Sequence, residues 1–313
     1  LQNTLPEGVT ITYNVEGFEK PGETVVPGLE DYRCTVDTEN HIVSIHESKG
    51  TIKASSIVVP AHATIDGVSY QVVLDKDTDY DYSSLWCGED RNVIRNIRFE
   101  EGVQVGEKSG YLFSYMRLNS LDVSGLDTSH TTDMHGMFAN IYDLESLDVS
   151  MLDTSNVTNM NAMFEDLQSL KSLKLGSTNG STVTYIDTSN VTNMFCMFRN
   201  CVSLTSIDLS GFDTSKAEDL EFMFENCSSL QSIDVSGFDT RKAKAVRGAF
   251  TECASLKTLD LRNWDFTRVN TTLYNNGGKY EGADAYYAAG LITDSGVMDL
   301  YLPVTFLQHL DMT

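Results

Sequence analysis

Aspartate side chains recur along the second half of the chain, mostly 26 residues apart, and carboxylates in such a series can bind cations or basic proteins. The series includes one lysine, and its members are Asp122, Asp148, Lys174, Asp208, Asp234 and Asp260. If they lie on neighbouring strands about 4.8 Å apart, the carboxylates form one repelling row. A binding surface and a solvated face both remain open. In the solvated face, Lys174 neutralises Asp148 and Asp208, and Arg262 neutralises Asp234 and Asp260.

A second series of aspartates stands in a recurring Asp-Thr-Ser triplet. Its members are Asp127, Asp153, Asp187, Asp213, Asp239 and Asp265. An aspartate in this position can accept backbone N–H bonds and close a turn, which is a sufficient explanation of the pattern. The alternative is calcium held between successive turns.

Four further aspartates, Asp75, Asp77, Asp79 and Asp81, alternate like the start of a calcium-binding loop. Tyr80 stands where an EF-hand needs glycine, and Trp86 stands where it needs the bidentate glutamate. We therefore reject an EF-hand and expect a loose acidic loop, with weak calcium binding left open. No metal ligands and no cofactor are assigned.

Catalytic constellations are not found in the sequence, and we assign no catalytic residue. The six histidines are scattered, and no glycine-rich phosphate loop or nucleophile elbow is present. One enzymatic alternative stays open: a calcium-dependent lyase acting on an acidic polysaccharide. It would need clustered carboxylates beside a basic group, which Asp148, Lys174 and Asp208 could supply.

Aromatic side chains cluster on both sides of the aspartate series, and exposed aromatics often mark recognition surfaces. The candidates are Tyr80, Tyr82 and Trp86 before the series, Tyr274, Tyr280, Tyr286 and Tyr287 after it, and Tyr185 within it. Tyr185 ends an insertion, residues 176–185, which is itself a candidate binding loop. The alternative is that these aromatic rings pack in caps and that the insertion is a tolerated surface loop.

An internal repeat must position all of these side chains. Units open at Leu121, Leu147, Leu173, Ile207, Ile233 and Leu259, with 26 residues between neighbours except for the 34 between Leu173 and Ile207. Alternating stretches such as Leu144 to Val149 predict an inward-facing strand. Apolar residues three or four apart, such as Met160, Met163 and Phe164, predict a short helix. Each unit is thus predicted to be strand, turn, short helix and loop, and stacked units would share one core.

Three cysteines, Cys201, Cys227 and Cys253, share one position of the repeat, where earlier units have Ile141 and Leu167. A position that accepts Ile, Leu and Cys is a core position, because a free thiol packs as a small apolar group. We therefore predict buried thiols, with a stacked disulfide as the alternative.

The repeat resembles the 26-residue repeat of bacterial surface proteins in the BspA-type branch of the leucine-rich repeat proteins. The resemblance is carried by Leu-Asp-Val-Ser-Gly-Phe-Asp-Thr-Ser, followed by Met-Phe-x-x-Cys-x-x-Leu-x-Ser, and covers about residues 121–266. It implies an exported, non-catalytic binding or adhesion protein of the bacterial cell surface. Two departures, Arg241 after Thr240 and Phe266-Thr267 in the last unit, indicate that the array decays toward a cap.

We predict an α/β repeat solenoid, a right-handed parallel coil similar to leucine-rich repeats. Four parts are expected: an extended lead-in (1–33), a β-rich N-terminal cap with irregular coils (34–120), the repeat array (121–266) and a C-terminal cap (267–313). Alternation such as His41 to Ile45 predicts the β-structure of the N-terminal cap. The apolar segment 297–310 is expected to close the other end, with residues 302–305 as a cap strand. The chain begins at Leu1, which is compatible with a removed signal peptide.

The net charge of −23 argues against nucleic acid and anionic membranes as partners. No apolar stretch approaches the roughly 20 residues that a membrane-spanning helix needs. We expect a monomer that binds a host or extracellular protein or a glycan. A structural spacer on the cell surface is the alternative function.

Overall fold

The structure of the protein is a computed structural model, which describes residues 25–76, 84–86, 88–179, 182–269 and 290–303. Strands are the main regular elements among these residues, which otherwise form turns and loops. The short helix α1 spans Asp90–Val93, and residues 290–292 are also helical. In chain order the strands are β1 (Tyr32–Asp37), β2 (Ile42–Ser48), β3 (Ser56–Val59), β4 (His62–Ile65), β5 (Val68–Leu74), β6 (Asn96–Phe99), β7 (Val103–Val105), β8 (Ser120–Asp122), β9 (Leu126–Asp127), β10 (Ser146–Asp148), β11 (Ser172–Lys174), β12 (Gly176–Asn179), β13 (Thr182–Tyr185), β14 (Thr258–Asp260) and β15 (Asp299–Tyr301). In the described part of the chain, no helix has the length and apolar character that a membrane-spanning segment requires.

The N-terminal strands form a sheet in the order β1-β2-β5-β7-β9. β1 and β2 are an antiparallel hairpin, whereas the pairs β2–β5, β5–β7 and β7–β9 are parallel. β4 folds back antiparallel onto β5. Alternation in β2 buries Val43 and Ile45, so the β-structure predicted from this pattern is confirmed.

Where neighbouring units form paired strands, the strands are parallel, as predicted. β3, β6 and β8 form one parallel sheet, β10 pairs with β11, and β14 pairs with β15. In β8, β10 and β14 the apolar middle residue is buried in the core, and the residues on either side of it are turned outward. Residues 206–208 and 232–234 keep this alternation of exposure but are not strands, so the strands predicted at Ile207 and Ile233 are wrong. There, the N–H of Gln231 donates to the carbonyl of Thr205 at 3.0 Å.

The short helix predicted in each unit is wrong, and turns occupy these positions. Ala162 and Asp166 have left-handed φ angles of 53° and 58°, and a right-handed helix cannot continue through such residues. Instead of bonding within a helix, the N–H of Ala162 donates to the carbonyl of Phe195 at 2.7 Å, in the next unit. The spacing of Met160, Met163 and Phe164 imitates a helical face because these turns also point the three side chains inward.

The core is a column of stacked aromatic rings that runs through the units. Trp86, Phe113, Phe138, Phe164, Phe198, Phe224 and Phe250 stack with ring centroids 5.2–5.7 Å apart. Phe212, Phe238 and Trp264 form a second, shorter column. Met163, Phe164, Phe198 and Phe224 are at most 1% exposed, so the prediction that they share one interior is confirmed.

Buried threonines of the Asp-Thr-Ser triplets connect neighbouring units. The hydroxyl of Thr214 donates to the carbonyl of Asp239 at 3.2 Å and accepts the N–H of the same residue at 2.8 Å. Thr128, Thr154, Thr188 and Thr240 donate to the following unit in the same way. Each threonine is 1% exposed, so these contacts hold the units in register from inside.

The described C-terminal residues continue the stack beyond the last repeat. β15 pairs with β14, and Leu291, 1% exposed, accepts the N–H of Phe250 at 2.9 Å through its carbonyl. β15 lies within the segment predicted to close this end. Leu302 and Pro303, where the cap strand was predicted to begin, are not in a strand, and residues 304–305 lie outside the described residues. The four predicted part boundaries are not tested by these contacts and remain predictions.

Candidate functional site

The outward residues of the parallel strands form one row across the units, which we call the strand face. Strand register places Val58 beside Arg98, Arg98 beside Asp122, Asp148 beside Lys174, and Asp260 beside Tyr301. Asp208 and Asp234 occupy the same repeat position and are exposed. The sequence analysis missed Arg98 and Tyr301 because their units lack the Asp-Val-Ser signature. Comparing the residue after the first apolar position of each strand would have found both.

Each strand-face aspartate closes a tight turn with the residue two positions later. Asp208 Oδ1 accepts the N–H of Ser210 at 3.0 Å and its hydroxyl at 2.6 Å. The same turn is made by Asp122, Asp148, Asp234 and Asp260. Hydrogen bonds from Ser210 and Ser236 lower the pKa of Asp208 and Asp234, so both carboxylates are charged at neutral pH.

Lys174 neutralises one of its two predicted partners. Its ammonium group lies 2.7 Å from Asp148 Oδ2. Although burial acts to raise it, the pKa of Asp148 is lowered overall by hydrogen bonds from Lys174 and Ser150. Asp208 instead accepts a hydrogen bond from the hydroxyl of Tyr185 at 3.1 Å. Within the described residues no ion pair joins Lys174 to Asp208, so the prediction that it neutralises both is wrong.

Arg262 forms a two-point contact with Asp260 of its own unit, with Nη2 lying 2.5 Å from Oδ2. This hydrogen bonding lowers the pKa of Asp260 to about 2. The guanidinium group also lies over the ring of Tyr301, 5.4 Å from its centroid. No ion pair joins Arg262 to Asp234 in the part of the chain that the structure describes. The predicted pairing is therefore correct for Asp260 and wrong for Asp234.

Tyr185 fastens the insertion to the strand face. The insertion is an antiparallel hairpin of β12 and β13, and the Tyr185 hydroxyl is hydrogen-bonded to Ser210 at 2.7 Å. Its ring fills the space over Gly211, where an added methyl group would clash with the ring. Tyr185 is half-buried, so its ring packs against the next unit while its hydroxyl reaches Asp208.

The other predicted aromatic site residues are either buried or outside the described residues. Trp86 is 0% exposed and stacks on Phe113 at 5.5 Å, which agrees with the packing interpretation rather than an exposed recognition residue. The predictions at Tyr80, Tyr82, Tyr274, Tyr280, Tyr286 and Tyr287 lie outside the described residues, as do those at Asp77, Asp79 and Asp81.

The second aspartate series closes turns, as predicted. Asp153 Oδ1 accepts the N–H of Ser155 at 3.0 Å, and Asp127, Asp187, Asp213, Asp239 and Asp265 make the corresponding bond. Hydrogen bonds from Ser155 lower the pKa of Asp153. Within the described residues, no group of three or more His, Cys, Asp or Glu side chains is placed to hold a metal ion.

Cys201, Cys227 and Cys253 are buried free thiols, so the predicted thiols are confirmed. Each thiol donates to a phenylalanine carbonyl of the preceding unit at 3.1–3.2 Å. Burial raises the pKa of Cys201 and Cys253 to about 12 and that of Cys227 well above its usual value.

A second surface, formed by the turns, carries residues that the sequence analysis missed. Phe195 and Phe222 pack edge to face at 5.8 Å, and Arg247 lies 4.8 Å from the centre of the Phe222 ring. Glu221 lies 3.7 Å from Arg247, and burial raises the pKa of Glu221 to about 7. The signal was phenylalanine at repeat positions where other units have polar or small residues.

Two solved structures resemble this chain in a structure comparison. A leucine-rich repeat protein from Bacteroides ovatus ATCC 8483 aligns with a TM-score of 0.41 and 12% identity, covering 88% of this chain and 76% of that one. A leucine rich cell surface protein from Faecalibacterium prausnitzii A2-165 aligns with a TM-score of 0.32 and 13% identity, covering 89% and 95%. The fold assignment rests on the pairing and stacking described above rather than on these similarities.

No curated protein has significant sequence similarity to the chain. A family model described as "Mycoplasma protein of unknown function, DUF285" matches residues 107–187 and 172–281. Together the matches span residues 107–281, which is 175 of the 313 residues. The family prediction made from the 26-residue repeat is therefore confirmed, and the chain belongs to the DUF285 family.

Proposed function

We propose that the protein is a non-catalytic binding protein of the bacterial cell surface, and that it presents the strand face to a host or extracellular protein or a glycan. The observation that carries this proposal is the row of outward side chains held in register by parallel strands. Because neighbouring strands are about 4.8 Å apart, the row offers charged groups at regular intervals on a backbone that needs little ordering to bind.

The proposal includes a right-handed solenoid of the leucine-rich repeat type and an extracellular location. Stacked rings, threonine contacts and parallel strand pairs support a solenoid, because each unit contacts its neighbours in the same way. The repeat consensus supports the location, since it resembles repeats of bacterial surface proteins. The acidic surface favours partners that are basic or neutral.

Binding can be tested on an array of extracellular matrix proteins and glycans. The wild type is compared with Asp208→Asn/Asp234→Asn, in which the amide oxygen retains the turn acceptor while the charge is removed. Glu39→Gln/Glu101→Gln removes two exposed charges elsewhere and is the matched control. We expect at least one ligand whose binding weakens about tenfold in the aspartate variant and not in the control.

A rigid spacer is the second candidate, favoured by the uninterrupted stacking of the core rings. A spacer would bind nothing above background on the array. If the array signals were equal for the wild type and both variants, the charges of Asp208 and Asp234 would not contribute to binding.

A further inference from the structure

The insertion hairpin has two features that an ordinary surface loop does not need. First, β12 and β13 pair only with each other among the described residues, so their outer edges face no strand there. An isolated two-stranded hairpin is marginally stable in water, and a third strand is the usual means of stabilising it. Second, Val183 at the centre of β13 is 51% exposed.

The hairpin also lacks the charges that normally protect a strand edge. Natural edge strands carry lysine, other charges, proline or bulges that prevent pairing with another chain. Residues 175–186 contain no Asp, Glu, Lys, Arg or Pro, although the whole chain carries a net charge of −23. β13 is rich in β-branched residues, which favour strands. The edge therefore has no neighbouring strand among the described residues, and its side chains do not prevent another strand from pairing with it.

Carboxylates lie near one end of this uncharged edge, where Tyr185 attaches the hairpin to the strand face. The Tyr185 hydroxyl contacts Asp208 at 3.1 Å, and exposed Asp187 follows β13 by two residues. A strand pairing along β13 therefore ends near carboxylates, and lysine or arginine side chains in that strand meet opposite charge. An acidic strand would meet repulsion at the same place.

We propose that the hairpin is a docking edge for an extended, basic segment of a partner polypeptide, which adds a strand along β13. Main-chain hydrogen bonds give the affinity, and lysine or arginine side chains near Asp208 and Asp187 give the specificity. This inference rests on the proposed function, because it names the mode and chemistry of binding by the strand face.

The probe is a fluorescently labelled heptapeptide in which Thr and Val alternate between two terminal lysines, measured by anisotropy at low ionic strength. Two further peptides separate the contributions. One is N-methylated on every second amide, which removes main-chain hydrogen bonds, and the other has glutamate in place of lysine. We expect the wild-type protein to bind both of them at least tenfold more weakly than the probe.

Two protein variants locate the binding edge. Removing residues 177–184 shortens the spacing from Leu173 to Ile207 from 34 to the regular 26 residues, so the array retains its repeat. Val183→Lys places a protective charge on the edge, and Val183→Thr is its uncharged control. We expect at least tenfold weaker binding for the deletion and for Val183→Lys, and binding within twofold of wild type for Val183→Thr. Thermal melting of each variant establishes that it is folded.

The inference is overturned if the probe does not bind the wild type. It is also overturned if the deletion variant binds the probe as well as the wild type does, or if the N-methylated peptide binds the wild type as well as the unmodified probe does. Failure of the proposed function looks different, because the array would then show only background. An array ligand that depends on Asp208 and Asp234, together with no probe binding, would leave the proposed function standing and remove the docking edge.

Discussion

Cys227 lies between Cys201 and Cys253 in the core, and its thiol donates to the carbonyl of Phe198 at 3.2 Å. Because only thiolates react readily, burial and the raised pKa values of the three thiols should make them inert in the folded protein. We predict that iodoacetamide at pH 8 leaves all three unmodified in native protein and modifies them in 6 M guanidinium, as measured by peptide mass spectrometry. Rapid native modification would contradict the buried arrangement.

Glu221 is 8% exposed, and its pKa is raised to about 7, chiefly by burial and also by Asp219, while Arg247 acts in the opposite direction. Folding therefore favours the neutral form. The stability from Glu221 is complete below the unfolded-state pKa, near 4.3, and is lost as pH rises through about 7.

We predict that the wild type loses stability relative to Glu221→Gln as pH rises from about 5 to 8. Urea unfolding of both proteins at several pH values measures this difference. The exposed Glu252 provides the control variant Glu252→Gln, which makes the same chemical change at a site that is not buried. A constant difference for Glu221→Gln would show that the carboxyl group keeps an ordinary pKa in the folded protein.

Residue roles that follow from repeat position were predictable, and those that follow from register were not. Comparison of aligned units explains the thiols, because other units have Ile at the same position. It also explains the turn aspartates, because their position precedes Thr-Ser. The partners of Lys174 and Arg262 depend on which side chain reaches across, and two of four predicted pairings are wrong. That Arg98 lies beside Asp122 follows only from the register of β6 with β8.

At the scale of elements, each Asp-Thr-Ser triplet combines a turn with a contact to the next unit. Thr214 is 1% exposed and makes two hydrogen bonds to the backbone of Asp239. Replacing it with valine keeps the shape but leaves the Asp239 N–H and carbonyl without the hydroxyl. We predict that Thr214→Val lowers the free energy of unfolding by about 1–3 kcal/mol. Thr214→Ser, which keeps the hydroxyl, should cost clearly less in the same urea titration.

The insertion hairpin is held by packing against a glycine. A methyl group at Gly211 would clash with the Tyr185 ring, whereas one at Gly237, the corresponding residue of the next unit, would meet no atom within 4 Å. We predict that Gly211→Ala destabilises the protein by about 1–3 kcal/mol. Gly237→Ala should be nearly neutral, and urea midpoints distinguish the two. Equal effects would mean that Tyr185 moves aside freely.

The error in the predicted helices has a physical origin. Apolar residues at Met160, Met163 and Phe164 have helical spacing, but left-handed φ angles at Ala162 and Asp166 direct every second N–H toward the next unit. Periodicity reports which side chains face inward and not how the backbone bonds. The strands were predictable because an extended backbone produces both the two-residue alternation of side chains and the pairing with the neighbouring unit.

At the scale of the whole molecule, both aspartate series raise the question of calcium. Their carboxylates accept backbone N–H groups in turns, so the turns close without a cation. We predict that EDTA and added calcium leave the thermal midpoint unchanged, since a ligand that binds only the folded state must raise it. A calcium-dependent rise of several degrees would reveal a tight site.

The recurrence of the same core contacts between neighbouring units has a consequence for how such a gene can change. Removing residues 207–232 would bring Ile233 after Ser206, where Ile207 now stands, and would replace one Ile-Asp pair with another. Unequal recombination in multiples of 26 codons could therefore lengthen or shorten the protein by about 4.8 Å per step. Each such change would alter the number of units while keeping the Ile-Asp pair at the junction.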